Sequence, residues 1–318
     1  MTHQILPMEL RARLSASVRL APTPTGPDLR AALPAALADA DILISGQGCP
    51  RLTTDVLQQA PRLRAVMHAG STVRPLVSEA VWERGITVSS AADADAGSVV
   101  AYTLALITLA ARRTLTMAAG YWDGWPAFEQ RSGAEGQTIG IVGASRIGRR
   151  VIGELGRSDA GFQILLSDPY VTDAEAHRLG AVRVDLPELC SRSGVISVHA
   201  PLLPETTGLL NAEMLALIPD GAALINTSRG AVIDPEALTN ECCSGRLEAY
   251  LDVTFPERLP SNHPLLLLPN VLITPHIAGA QGSEVRRLGR YAVTEVERWL
   301  AGEPLLGKIT REDLPCLA

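Results

Sequence analysis

Short apolar runs alternate with helical patterns along the first third of the chain. Three of these runs have the length and composition of buried strands, at residues 41–45, 65–68 and 86–89. Two segments of helical composition lie between them, at residues 53–60 and 75–84. Thr53 or Thr54 can cap the first segment, and Pro75 suits the first turn of the second. Strands that alternate with helices predict a parallel sheet covered on both faces.

A second series of strands and helices begins near residue 138. Its strands are predicted at residues 138–142, 163–168, 194–199, 222–226, 249–252 and 271–274. Its clearest helices are predicted at residues 146–155, 211–217 and 235–244. A series of this length predicts a complete doubly wound domain. The last periodic segment, residues 283–301, is helical and is expected to return to the first domain.

A long segment without helix breakers joins the two series. Residues 96–117 are apolar on most sides, which predicts a buried helix. Such a helix spans roughly 30 Å, enough to run between two domains. Arg112 and Arg113 interrupt the apolar pattern, so a membrane helix is disfavoured, and no apolar run is expected to approach the length of a membrane span. Residues 120–136, which include Trp122 and Trp125, are predicted to form a surface connection.

Composition narrows the class of protein. At 318 residues the chain exceeds what one hydrophobic core usually holds, so two domains are expected. A content of 47% apolar and 19% charged residues fits a globular protein, and the net charge of −6 argues against a nucleic-acid partner. The five cysteines follow no disulfide pattern, which favours reduced thiols in a cytoplasm. The N-terminal arginines resemble a targeting peptide only weakly, because Glu9 and the missing cleavage signature oppose it.

A glycine-rich turn opens the second series. The pattern is Gly143-x-Ser145-x-x-Gly148, between a predicted strand and a predicted helix whose N-terminus can hold a pyrophosphate. Asp168 closes the next strand, about 20 residues further on, where a carboxylate accepts hydrogen bonds from ribose hydroxyls and repels a 2′-phosphate. NAD(H) is therefore favoured over the phosphorylated cofactor. Ser145 stands where a second glycine is usual, so the turn alone leaves open an ordinary strand-to-helix connection.

Three polar residues further along lie in recognisable settings. Arg229 follows Asn226-Thr227-Ser228, Glu257 follows Thr254-Phe255-Pro256, and His276 follows Thr274-Pro275. A guanidinium can hold a carboxylate with two parallel hydrogen bonds. A histidine oriented by a carboxylate can exchange a proton near neutral pH. With the glycine-rich turn, these residues predict hydride transfer to and from a 2-oxo acid. Each residue taken singly has a structural alternative, as a surface ion pair, a solvated acid or a core histidine.

Together these motifs resemble the D-isomer-specific 2-hydroxyacid dehydrogenase family. The resemblance covers residues 42–304 and rests on the segments 140–148, 197–209, 225–230, 251–257 and 269–276. It implies an α/β protein in which a Rossmann doubly wound NAD-binding domain, residues 96–279, is inserted in a flavodoxin-like substrate domain, residues 1–95 and 280–318. It also implies a homodimer, with the helix at 96–117 near the interface.

The resemblance assigns roles to the three polar residues. Arg229 is expected to bind the carboxylate and carbonyl of the substrate. His276 is expected to protonate the carbonyl oxygen as hydride arrives, and Glu257 to hydrogen-bond His276. His199 is expected to form a wall of the cofactor pocket. The resemblance places NAD(H) against Gly143, Ser145, Arg146, Ile147, Gly148, Asp168, Ala200, Pro201, Thr206, Thr227, Ser228, Asp252, Ala278 and Gly279.

The turn after the second predicted strand departs from the family. By resemblance the substrate binds here, at His68, Ala69, Gly70, Ser71 and Arg74, and its carboxylate is expected at Gly70, Ser71 and Thr72. As cations, His68 and Arg74 would favour a second anionic group, although Arg74 can also point to solvent. The resulting candidates are small polar or dianionic 2-oxo acids, such as hydroxypyruvate, glyoxylate or a phosphorylated pyruvate.

The motifs are compatible with other functions. Formate oxidation is disfavoured, because the formate enzymes carry glutamine at the position of Glu257. Phosphite oxidation is a weaker option, since that enzyme shares the three polar residues. A non-enzymatic NAD(H)-sensing interaction protein of the corepressor type also keeps all three. We assign no metal site, no nucleic-acid partner and no membrane partner.

Overall fold

The computed structural model describes residues 2–22 and 29–314. Its internal contacts divide the chain into two compact units. The first unit consists of the residues up to Gly97 together with the segment that begins at Ala280, and the second unit is Ser98–Gly279. The second unit is therefore inserted in the chain of the first.

The first unit contains a four-stranded mixed sheet. Its strands are β1 (Ile42–Gly46), β2 (Ala65–Ala69), β3 (Thr87–Ser90) and, near the end of the chain, β11 (Lys308–Ile309). The first three strands are parallel in the order β1-β2-β3, and β11 pairs antiparallel with β3. The helices of this unit are α1 (Thr2–Ile5), α2 (Met8–Ser15), α3 (Leu29–Leu37), α4 (Thr54–Gln58), α5 (Glu79–Glu83) and α13 (Val285–Leu300). Helix α13 packs in one core cluster with β2.

The second unit contains a seven-stranded parallel sheet. Its strands are β4 (Thr138–Val142), β5 (Gln163–Ser167), β6 (Val182–Arg183), β7 (Val195–Val198), β8 (Ala223–Asn226), β9 (Glu248–Leu251) and β10 (Val271–Ile273). Their order is β10-β9-β8-β7-β4-β5-β6, so the strand order reverses between β4 and β7. In open α/β sheets a ligand binds at such a reversal, beyond the carboxyl ends of the strands.

Helices connect the strands of the second unit. They are α7 (Thr114–Ala119), α8 (Arg146–Leu155), α9 (Asp173–Leu179), α10 (Leu186–Arg192), α11 (Ala212–Leu217) and α12 (Pro235–Cys243). Helix α6 (Ala92–Ala111) begins in the first unit and continues in the second. Short 3₁₀ turns lie at Gly120–Asp123, Phe128–Gln130, Pro204–Thr206, Gly230–Val232, Pro264–Leu266 and Gly282–Glu284.

Apolar strand residues alternate between two core clusters, one on each face of the large sheet. Ile139 and Ile141 belong to the cluster that contains side chains of α6, α8 and α9. Val142 belongs to the cluster that contains side chains of α10, α11 and α12. Burial on both faces explains why these strands are continuously apolar in the sequence. The predicted fold class, an α/β protein with a doubly wound domain inserted in a second α/β domain, is confirmed.

The predicted strands lie within two residues of the observed ones, but two helices needed correction. Helix α5 begins at Glu79, not at Pro75. Leu76 and Val77 are buried in the core, and both of their N–H groups donate to the carbonyl of Val73 in a turn. Ser78 therefore takes the N-cap position. The predicted helix at residues 53–60 is confirmed as α4, with Thr53 as its cap.

The long predicted helix ends earlier than expected. Helix α6 stops at Ala111, and Arg113 adopts a left-handed backbone with φ of 50° before α7 begins. The buried carboxylate of Glu248, on β9, accepts hydrogen bonds from the backbone N–H and the hydroxyl of Thr116 in the first turn of α7. A new helix N-terminus is thus capped by a strand residue that is distant in sequence.

By length and composition alone, α6 is able to cross a membrane, with a mean hydropathy of 1.5. The expectation that no apolar run approaches a membrane span was therefore wrong. About half of this helix faces the protein interior, since 44% of its apolar window is buried. Val100, Leu106, Ile107 and Ala110 pack in the core of the second unit, which is a separate reason for their apolar character.

Candidate active site

The three candidate catalytic residues follow three neighbouring strands of the large sheet. Arg229 follows β8, Glu257 follows β9, and His276 follows β10. Because the carboxyl ends of parallel strands share one edge, the fold brings these loops together. The glycine-rich turn after β4 lies at the same edge of this sheet.

Glu257 and His276 are in direct contact. The Oε1 atom of Glu257 lies 2.5 Å from Nδ1 of His276. An ionised carboxylate only accepts hydrogen bonds, so Nδ1 carries the hydrogen and Nε2 is the ring nitrogen left to face another partner. Both side chains are about half exposed, at 51% for His276 and 59% for Glu257. The pair is therefore accessible and can exchange a proton with a bound molecule.

The backbone of His276 is held in a left-handed conformation, with φ of 55°. This conformation costs a residue with a side chain about 1–2 kcal/mol, so surrounding contacts must maintain it. The N–H of His276 donates to the carbonyls of Asp252 and Thr274, both at 3.0 Å. The carboxylate of Asp252 accepts from the N–H groups of Ile277 and Ala278, both at 2.8 Å. Asp252 is 1% exposed, so a buried carboxylate secures the loop that carries His276.

Asn226 shapes the turn that carries Arg229. Its Oδ1 accepts from the N–H of Ser228 at 3.0 Å and from the hydroxyl of Ser228 at 2.9 Å. Its Nδ2 donates to the carbonyl of Arg229 at 2.9 Å. Asn226 is 1% exposed, so the amide is fixed and the turn is rigid. The guanidinium of Arg229 is half-buried and donates to the carbonyl of Ser228 at 2.7 Å.

Gly230 permits close contact between the Arg229 loop and the segment that leads to Glu257. A Cβ atom at position 230 would lie 2.1 Å from the carbonyl carbon and oxygen of Thr254. Backbone atoms cannot yield as a flexible side chain can, so only glycine fits. The spacing between the candidate arginine and the candidate acid therefore depends on this residue.

The glycine-rich turn has the close approaches expected of a dinucleotide site. Gly143 has φ of 94°, and a Cβ there would lie 2.7 Å from the backbone nitrogen of Ala200. A Cβ at Gly148 would lie 2.1 Å from the carbonyl oxygen of Gly143. Both glycines are thus required for packing at the reversal of strand order. Helix α8 begins directly after this turn, and a helix N-terminus at such a reversal is a typical binding position for the phosphates of a dinucleotide.

Ser145 replaces the second glycine of the pattern without strain. Its φ of −63° and ψ of 177° are ordinary for any residue. Its hydroxyl accepts from the N–H of Gly148 at 3.4 Å and caps α8. Serine is among the residues preferred at this position, because its oxygen satisfies a helix N–H group that otherwise lacks a partner. The departure from the usual pattern is therefore compatible with the normal geometry of the turn.

Asp168 lies next to the glycine-rich turn. Its Oδ2 accepts from the N–H of Ala144 at 2.7 Å, and its Oδ1 accepts from the N–H of Tyr170 at 2.8 Å. The side chain is only partly buried, so the remaining acceptor positions can reach a ligand. A negative charge is thereby fixed beside the turn.

The other residues predicted to bind the cofactor differ in solvent exposure and in their hydrogen bonds within the protein. Ala200 and Ala278 are buried, Arg146 is exposed, and Ile147, Pro201 and Gly279 are intermediate. Three hydroxyls are held within the protein: Thr206 donates to Pro201, Thr227 contacts Thr103, and Ser228 donates to Asn226. Both oxygens of Asp252 accept hydrogen bonds from backbone N–H groups, so a hydrogen bond from the carboxamide of a nicotinamide would be an additional one.

His199 is an interior residue. It is 3% exposed, and its Nε2 lies 2.9 Å from the hydroxyl of Ser197. Burial lowers the pKa of His199 to about 4, so the ring is neutral at pH 7. It packs beneath the glycine-rich turn, within 3.3 Å of the ideal Cβ position of Gly148.

The expectation that His68 supplies a positive charge was wrong. The ring is 6% exposed, and its Nδ1 lies 2.9 Å from the hydroxyl of Ser45 on β1. Burial lowers the pKa of His68 to about 4, so it is neutral at pH 7. His68 pairs with Ser90 of β3 in the first unit, and its Nε2 lies over Gly70, where a Cβ would come within 2.5 Å.

The other residues of this turn differ in exposure. Ala69 is buried and Gly70 is intermediate, whereas Ser71 and Arg74 are exposed. The carbonyls of His68 and Gly70 both accept from the N–H of Ala91.

Sequence reasoning missed residues that support the site. The hydroxyl of Tyr102 on α6 donates to the hydroxyl of Thr274, and the hydroxyl of Thr103 contacts that of Thr227. The motif before Arg229 contains Asn226 but does not predict its hydrogen bonds within the turn. Nothing in the pattern of α6 marks the first two residues, because their partners are 172 and 124 positions away.

Comparison with known proteins identifies the family. Residues 100–278 match the NAD binding domain of the D-isomer specific 2-hydroxyacid dehydrogenases. The chain belongs to this family. D-3-phosphoglycerate dehydrogenase of Methanocaldococcus jannaschii is 33% identical over 287 residues, which cover 88% of this chain and 53% of that protein. The chain thus spans about half the length of the curated relatives it matches.

Solved structures of similar length share the fold. The TT0316 protein of Thermus thermophilus is 33% identical, with a TM-score of 0.77 over 96% of this chain and 97% of that one. Apo D-mandelate dehydrogenase of Rhodotorula graminis is 25% identical, with a TM-score of 0.80 over 95% of this chain and 94% of that one. The resemblance drawn from the motifs is confirmed, and the inserted unit is the NAD(P)-binding domain of the family.

The close contact at Gly230 yields a prediction. Gly230→Ala places a methyl group against the backbone of Thr254, so we expect the thermal midpoint of the second unit to fall by about 5 °C or more. Differential scanning calorimetry measures this midpoint. The control is Gly153→Ala in α8, where the added Cβ meets nothing within 4 Å and where the midpoint should stay the same or rise. Equal midpoints for wild type and Gly230→Ala would show that the two loops are not in contact.

Proposed function

We propose that this chain is an NAD(H)-dependent oxidoreductase that moves a hydride reversibly between the nicotinamide and a small 2-oxo or 2-hydroxy acid. The observation that carries the proposal is the contact between Glu257 and His276, at the sheet edge shared with Arg229 and the glycine-rich turn. Family membership supports the same reaction class.

The three side chains have complementary roles in this reaction. Arg229 binds the substrate carboxylate through parallel N–H donors and polarises the carbonyl. Nε2 of His276 donates a proton to the carbonyl oxygen during reduction and takes it from the hydroxyl during oxidation. Glu257 accepts the Nδ1 hydrogen, so it orients the ring and stabilises the imidazolium. The bound nicotinamide supplies or accepts the hydride.

The substrate is a small acid with one carboxylate as its main anionic group. Curated relatives carry the name D-3-phosphoglycerate dehydrogenase, which implies a phosphorylated acid for those proteins. In this chain the neutral His68 removes one of the two cations expected near a second anionic group. This loss favours a polar substrate such as hydroxypyruvate or glyoxylate over a phosphorylated one.

The cofactor is NAD(H). The carboxylate of Asp168, fixed beside the turn by Ala144 and Tyr170, repels a 2′-phosphate and accepts hydrogen bonds from ribose hydroxyls. The N-terminus of α8, which follows the glycine-rich turn directly, holds the pyrophosphate.

The protein is a homodimer that associates through the segment after α7. Tyr121, Trp122, Trp125 and Phe128 are 58%, 90%, 77% and 79% exposed. Four exposed aromatic side chains within eight residues of the chain are typical of a protein interface. A second copy of the chain is the proposed occupant, because family resemblance places the dimer contact beside α6.

The first test follows the oxidation of NADH at 340 nm with a panel of 2-oxo acids. We expect turnover with at least one small polar acid, and a loss of about 10²-fold or more in kcat in His276→Asn, because the proton donor is removed. NADH binding should stay within about twofold. His177→Asn, an exposed histidine on α9, is the control and should keep full activity. NADH binding without turnover on any acid would instead support the non-enzymatic alternative.

The second test concerns the choice of cofactor. Asp168→Ala removes the charge that repels the 2′-phosphate, so the ratio of kcat/KM for NADPH to that for NADH should rise by about 10-fold or more. Asp173→Ala on α9 removes an exposed carboxylate nearby in sequence and should leave the ratio unchanged. A wild-type preference for NADPH would contradict the role of Asp168.

The third test concerns assembly. Trp122→Ser with Trp125→Ser removes the two aromatic side chains proposed to lie in the interface, so the dimer should dissociate at micromolar protein concentration. Analytical ultracentrifugation measures the mass. Tyr170→Ser removes a comparably exposed aromatic side chain elsewhere in the unit and should remain dimeric. A monomeric wild type would overturn the assignment.

A further inference from the structure

Two consecutive residues of α6 contact the two loops that carry Arg229 and His276. The hydroxyl of Tyr102 donates to Oγ1 of Thr274 at 2.9 Å, two residues before His276. The hydroxyl of Thr103 lies 2.8 Å from that of Thr227, two residues before Arg229. One turn of one helix therefore reaches the loops that flank β9 on both sides.

The hydrogen bonds from Tyr102 have a defined direction. The carboxylate of Asp252 can only accept, so the hydroxyl of Thr274 donates its hydrogen to Oδ1 of Asp252, at 2.6 Å. Thr274 then has only lone pairs to offer, and the hydroxyl of Tyr102 donates to it. The result is a chain of two hydrogen bonds that ends on a buried carboxylate. Hydrogen bonds to a charged acceptor are stronger than those between neutral groups.

The same carboxylate sets the backbone around His276. Asp252 accepts from the N–H groups of Ile277 and Ala278, which directly follow the left-handed residue His276. The orientation of Asp252 therefore decides whether these N–H groups are satisfied. Thr274 donates to Oδ1, the oxygen that also accepts from Ile277, and Tyr102 donates to Thr274, so a helix hydroxyl acts on the histidine through two intermediates.

Thr103 acts on the other loop by a shorter route. It is completely buried, and its hydroxyl meets Thr227 at the start of the turn shaped by Asn226. A buried hydroxyl that loses its partner costs free energy, so this contact restrains the turn. The turn ends in Arg229, whose guanidinium is proposed to bind the substrate carboxylate.

We propose that Tyr102 and Thr103 are positioning residues for hydride transfer. Tyr102 maintains the backbone of His276 through Thr274 and Asp252, and Thr103 maintains the turn of Arg229 through Thr227. Neither residue touches the substrate in this scheme. The inference rests on the proposed function for its kinetic part, but its structural part is independent of any activity.

The kinetic test distinguishes the proposed role of Tyr102 from that of Thr103. Tyr102→Phe keeps the ring and removes the donor, so kcat for the best 2-oxo acid should fall by about 3–10-fold while KM stays within about twofold. Thr103→Val keeps the shape and removes the hydroxyl, so KM should rise by about 3–10-fold while kcat changes less. Thr103→Ser should restore the wild-type KM.

The control is Thr108→Val on the same helix, whose hydroxyl donates to Leu104 within α6. It should behave as the wild type in both kinetic parameters. If Tyr102→Phe and Thr103→Val each changed kcat and KM in parallel, or changed neither, the positioning roles would be overturned.

The second readout needs no activity. Hydrogen exchange followed by NMR should show faster exchange of the Ile277 and Ala278 N–H groups in Tyr102→Phe than in wild type, and no change in Thr108→Val. Unchanged exchange at both groups in Tyr102→Phe would overturn the inference. A wild type without turnover on any acid would contradict the proposed function alone, since this exchange result stands apart from it.

Discussion

The buried carboxylate of Asp252 is the contact on which the candidate site most depends. A charge at 1% exposure is stable only when its oxygens are satisfied by donors. Here the donors are the hydroxyl of Thr274 and the N–H groups of Ile277 and Ala278. To reach that charge, the chain after β10 folds back over the end of β9. This fold places His276 in a left-handed conformation and turns its ring toward Glu257.

Close approach of backbone segments is the second constraint on the site. The loops after parallel strands meet at one sheet edge, and they come close enough only where Cβ atoms are absent. Gly143, Gly148 and Gly230 lie at contacts of this kind in the second unit, since a Cβ at each of them would come within 2.7 Å of backbone atoms. Ser145, by contrast, sits at a position where a side chain fits and caps a helix. Glycine is thus required for packing at some positions of the pattern and replaceable at others.

Much of the large sheet was predictable because its strands are buried on both faces and read as continuous apolar runs. Arg229, Glu257 and His276 were recognisable from short motifs, and the contact between the last two lies within one loop cluster. The neutral state of His68 was not predictable, because it depends on the burial of its ring in the folded first unit. The break at Arg113 was missed for a similar reason, since the capping carboxylate of Glu248 is distant in sequence. Both residues of the edge strand β6 are exposed, so the sequence there contains no apolar run that would predict a strand.

The sequence by itself determined the fold class, the family and the chemical identity of the candidate residues, because these depend on local periodicity and on short spacings. Only the tertiary structure decided the protonation and the hydrogen-bond partners of the polar residues. Burial makes His68 and His199 neutral, and the carboxylate of Asp252 is committed to backbone N–H groups. The positioning role proposed for Tyr102 and Thr103 is not indicated by any local sequence pattern. Protonation and hydrogen bonding depend on neighbours that are distant along the chain, and only folding brings those neighbours within bonding distance.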